Sequence, residues 1–144
     1  MDRTGGQEPT TMGTVEVRDL IYQLVESEYD HDVARTNLRD FHDATTPPAA
    51  PSEFNSLEEF LNFHDYKLRF VEQERALTAA RDDAQGRYDH ASAWLQRLLP
   101  ENTPLRFAYA GEYPELLGRQ YTIENRNMGT QGHIAVSYSQ SADA

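Results

Sequence analysis

Residues 57–99 hold no proline and one glycine, Gly86, and an apolar side chain returns there at every seventh position: Phe63, Phe70, Leu77, Ala84, Ala91 and Leu98. Seven residues are close to two turns of an α-helix, so the repeat predicts one long helix with a coiled-coil-like seam. Tyr88 and Leu95 flank the distal part of that seam. A second stripe, Leu57, Leu61, His64, Leu68 and Val71, follows another line of the same helix and stops half-way along it. Two apolar stripes need two covering surfaces, because a long seam left in water is an aggregation hazard.

The limits of this helix are legible. Ser56 followed three residues later by Glu59 is a capping-box signature, and Pro100 cannot continue a helix. Gly86 costs about 1 kcal/mol against alanine and is the expected place for a kink or a break. Upstream, Thr14 is a candidate N-cap for a helix over 14–45, with Val17, Leu20, Ile21, Leu24, Ala34, Leu38 and Phe41 as its apolar stripe. That stripe weakens at Ser27, Glu28 and His31. Pro47, Pro48 and Pro51 then impose a loop over 46–56.

After Pro104 the period changes from helical to alternating. Leu105, Phe107 and Tyr109, then Tyr121 and Ile123, then Ile134, Val136 and Tyr138 recur at every second position. The Gly- and Asn-rich segment Asn127–Gly132 predicts a hairpin turn between the last two runs. A sheet of three short strands is too small to stand alone, so its apolar face is expected to pack on a helix.

The fold class expected is therefore α+β: two long antiparallel helices forming a coiled-coil-like hairpin, followed by a three-stranded antiparallel β-meander over 105–139. Residues 14–139 form a single domain in this reading, between a disordered tail at 1–13 and a polar tail at 140–144.

Composition narrows the function classes. The chain of 144 residues has no cysteine, which excludes disulfides and thiolate metal sites and makes a reducing, cytoplasmic setting the simplest one. No apolar run is long enough to span a membrane. A formal charge of −11 opposes any broad attraction to nucleic acid or to anionic lipid.

Catalytic constellations are sparse. Four of the five histidines adjoin an aspartate, but neighbours on a helix point about 100° apart and do not converge. Glu28 and His31 alone have ligand spacing, and a helical di-metal site needs a second such motif with two further carboxylates. His64, or His133 with Tyr121 and Tyr138, are the other candidates for an enzyme. No phosphate loop, dinucleotide fingerprint or nucleophile elbow occurs.

The reading that follows is a non-enzymatic interaction or assembly module, requiring no cofactor and working through the helical hairpin. Its partner is a second copy of the chain or another protein, and the expected interface is Phe63, Phe70, Leu77, Ala84, Tyr88, Ala91, Leu95 and Leu98. An acidic-aromatic hairpin tip, Asp40, Phe41, Asp43, Glu53, Phe54 and Glu58, offers a second contact surface. The alternative is an acidic inhibitor or nucleic-acid mimic directed at a basic site. A small metal-dependent enzyme stands third.

Overall fold

The computed structural model describes residues 13–128 and 131–140. Residues 1–12 and 141–144 of the tails expected at 1–13 and 140–144, and residues 129–130 of the expected Asn127–Gly132 turn, lie outside the described residues, whereas Asn127, Met128, Gln131, Gly132 and Gln140 belong to strands. The architecture is two helices followed by a three-stranded antiparallel sheet: α1 (Thr14–Ala44), α2 (Leu57–Leu98), β1 (Leu105–Ala108), β2 (Arg119–Met128) and β3 (Gln131–Gln140). A short 3₁₀ turn, Pro114–Leu116, interrupts the connection from β1 to β2. Within the stretch read as one domain the chain forms two compact units. One combines α1 up to Glu26 with everything from Tyr88 onward, and the other is Ser27–Arg87.

Three local expectations change. Thr14 is already helical, and the amide of Val17 donates to the Gly13 carbonyl at 3.1 Å, so Gly13 takes the cap position expected of Thr14. α2 is continuous through Gly86. That glycine lies open, with nothing within 4 Å of where a Cβ would stand, so it weakens helix propensity without interrupting the helix. Tyr138, expected on the apolar face, is half exposed, with the Arg119 guanidinium 3.8 Å over its ring.

In the first unit the core gathers Leu20 and Leu24 of α1, Ala91 and Leu95 of α2, Ile123 of β2 and Ile134 of β3. β2 is the central strand, pairing Leu105 with Ile123 on one side and Ile123 with Val136 on the other. The side chains of Tyr121, Ile123 and Asn125 in β2 point inward, as the two-residue period requires. Tyr121 and Ile123 are fully buried, and Phe107 stacks on Tyr121 at 5.5 Å.

The next inward position is polar. Asn125 is buried, and its Nδ2 donates to the carbonyls of Gln96 and Leu99 at 3.0 and 2.9 Å. It thereby supplies donors that the last turn of a helix lacks. The same strand residue accepts from the amide of Asn102, whose φ of 60° turns the chain after α2. In the second unit Ala34, Leu38 and Phe41 of α1 are buried together with Ala84 of α2, and Phe41 meets Phe70 at 5.0 Å.

Candidate interaction surface

The two stripes of α2 have separate fates. The heptad stripe is the inner one. Ala84, Ala91 and Leu95 have no exposed surface, and Phe63, Phe70, Leu77, Tyr88 and Leu98 are half-buried. Of the residues expected to form a self-assembly seam, Ala84, Ala91 and Leu95 are thus fully covered within the chain and the others partly.

The other stripe lies outside. Within Ser27–Arg87, Leu57 is 73% exposed, Leu61 50%, Leu68 46% and neighbouring Phe60 41%. His64 sits among them, stacked on Phe60 at 5.8 Å. The 4-3-4-3 spacing of Leu57, Leu61, His64, Leu68 and Val71 keeps these side chains in line, and fourteen steps along a helix span about 21 Å. Beyond Val71 the line turns polar and shallowly grooved, through Glu74, Arg75, Thr78 and Asp82.

The start of this face is rigidly built. The amide of Glu59 donates to Ser56 Oγ at 3.0 Å, and Glu59 Oε1 accepts from the Asn55 amide at 2.6 Å. The capping box forms, reaching back one residue further than the usual arrangement. Phe54 packs on Phe60 and Phe63 at 5.3 and 5.4 Å, and Tyr66 donates its hydroxyl to the Thr46 carbonyl. His42 Nε2 lies 2.7 Å from Glu74 Oε2, joining the end of α1 to α2. Of the expected tip residues, Phe41 is buried and Phe54 half-buried, whereas Asp40, Asp43, Glu53 and Glu58 are exposed. The aromatics therefore hold the tip together, and the carboxylates face water.

The enzymatic candidates do not converge. Glu28 and His31 are half-buried on α1, and among the described residues no three of His, Cys, Asp and Glu lie close enough to hold a metal ion. His133 pairs in register with Arg126, while Tyr138 pairs with Tyr121. Five steps along the strand separate His133 from that tyrosine pair, about 17 Å.

A buried polar cluster that the alternating pattern gave no hint of lies in the first unit. Tyr109 is almost fully buried, donates its hydroxyl to Glu26 Oε2 at 2.6 Å, and accepts from the Tyr113 amide at 2.9 Å. Gly111 makes room for it, since a Cβ there would fall 2.4 Å from the tyrosine hydroxyl. Burial, and then the hydrogen bond to Glu26, raise the Tyr109 pKa well above its ordinary value.

A raised pKa means that this tyrosine contributes stability below about pH 10, the unfolded value, and loses it as pH climbs further. Tyr109→Phe is expected to cost about 1–3 kcal/mol at neutral pH. The gap between wild type and variant should narrow in urea titrations above about pH 10. A gap independent of pH would contradict this role for the tyrosine proton.

No protein-family model, curated protein or solved structure matches the chain. Among the described residues no helix is long and apolar enough to cross a membrane.

Proposed function

We propose that the chain is a non-enzymatic interaction module that works through the outer face of α2 in the Ser27–Arg87 unit. One observation carries the reading: Leu57, Leu61 and Leu68 stand in line and exposed on a helix whose other apolar stripe is half-buried or buried within the chain. Large apolar side chains aligned in this way cost free energy in water, and covering them with a partner is favourable by about 25 cal/mol per Å² removed from solvent. Self-assembly is the occupant that the four-three spacing favours, since it is the spacing of a coiled-coil seam. A basic partner is the occupant that the exposed carboxylates of the tip favour.

Site-specific photo-crosslinking in the host cell tests the module itself. A photoreactive residue at position 61 or 68 is expected to give one discrete adduct, and the same residue at exposed Ala76, off the stripe, is expected to give none. The adduct mass separates a second copy from a different protein. Absence of an adduct at 61 and 68, or equal adducts at 76, would overturn the reading.

A further inference from the structure

We infer that the occupant of this face is an amphipathic helix of another protein that carries Lys or Arg beside its apolar stripe; the inference rests on the interaction-module reading above. Charge supplies the argument. Residues 40–66 contain Asp40, Asp43, Glu53, Glu58, Glu59 and Asp65 and no Lys or Arg. The apolar stripe begins inside this segment, at Leu57.

One flank of the stripe carries a carboxylate in each heptad, with the cation Arg69 beside it. Glu58, Asp65 and Glu72 each follow a stripe position, Leu57, His64 and Val71, and all three are exposed. Asp65 shares its charge with Arg69 one turn on. The opposite flank is mixed, with Phe60, Lys67 and Glu74.

A second copy fits this pattern poorly in either direction. Parallel pairing lays the two acidic 40–66 segments side by side. Antiparallel pairing sets the Glu58–Asp65–Glu72 flank against itself, because flanks of the same kind meet when helices run in opposite directions. Like charges so placed repel. A helix with a leucine stripe and basic flanks meets neither obstacle, covers the same leucines and neutralises the flank. Docking of an amphipathic helix along an apolar helical face is a recurring mode of peptide recognition.

The test uses the full chain and two fluorescent helical peptides of about 21 residues, three heptads with leucine along the stripe. One has lysine on its flanks and the other glutamate. The lysine peptide is expected to bind and the glutamate peptide not to. Raising salt from about 0.1 M to about 1 M, which shortens the screening length from about 10 to about 3 Å, should weaken binding by about tenfold or more.

Glu58→Gln with Glu72→Gln should weaken the lysine peptide in the same direction. Leu61→Gln with Leu68→Gln, which leaves every charge in place, should weaken it by about tenfold. Circular dichroism of the variants should match wild type, since all four side chains are exposed.

Equal binding of both peptides, or binding untouched by the leucine changes, would overturn the inference and reduce the effect to adsorption on an acidic chain. If the lysine peptide fails while crosslinks from positions 61 and 68 join two copies of the chain, the inference falls and the module stands. If both experiments fail, both readings fall.

Discussion

Leu95→Ala is expected to lower the unfolding free energy by about 3 kcal/mol, read from urea or guanidinium denaturation. Leu95 has no exposed surface and belongs to the cluster in which Leu20, Leu24, Ala91, Ile123 and Ile134 meet. Truncation removes three carbons and leaves a cavity whose walls come from two helices and two strands. Such walls, fixed by separate backbones, collapse little, so the cavity contribution adds to the lost transfer free energy.

The same change at Leu61 provides the comparison. Leu61 is half exposed in the chain, and Leu61→Ala should stay within about 0.5 kcal/mol of wild type. Two leucines on one helix, 34 positions apart in sequence, thus differ several-fold in their effect. Near-equal losses would mean that the two stripes have been assigned to the wrong sides.

Asn125→Asp tests a different kind of contact at almost unchanged volume. The amide donates to two carbonyls at the C-terminal end of α2. A carboxylate there would offer only acceptors to acceptors, and would do so at the negative end of the helix dipole. At neutral pH the expected loss is about 3 kcal/mol or more, the scale of an uncompensated buried charge.

The pH dependence of that variant follows in sign. Burial beside carbonyls raises the pKa of an aspartic acid in the fold above the unfolded value of about 3.9. The protonated form can still donate one hydrogen bond, so the penalty should be smallest below about pH 4 and grow as pH rises through the folded pKa. A penalty that is flat with pH would mean that Asn125 acts by shape alone.

The elements of the fold were legible residue by residue. Pro47, Pro48 and Pro51 mark the break between the helices, and Ser56 with Glu59 starts α2 where the capping box predicts. The alternation over Leu105, Phe107, Tyr121, Ile123, Ile134 and Val136 marks the three strands of the antiparallel meander. These signals are local. Each rests on a missing donor, a side chain within one turn of its own backbone, or the two-residue period of a strand.

Other features escaped a local reading. Leu116 sits in a segment that reads as loop, yet its side chain is fully buried from a 3₁₀ turn. Asn125 reads as an ordinary polar residue of a strand, and only the arrival of the end of α2 makes it a cap. Glu26 and Tyr109 are 83 positions apart, and no pattern in either neighbourhood foretells their hydrogen bond.

The stripes of α2 mark the same division most clearly. The sequence by itself determined that 57–99 is helical with two apolar lines and that each needs a cover, while continuity through Gly86 came from the structure. Either line satisfies helical periodicity, so periodicity has no means of ranking them. Tertiary structure decided that Ala84, Ala91 and Leu95 lie inside while Leu57, Leu61 and Leu68 stay out. The physical reason is that burial depends on what another part of the chain brings alongside. The small side chains at 84 and 91 suit close packing within the chain, a condition that comes into play only once distant residues have met.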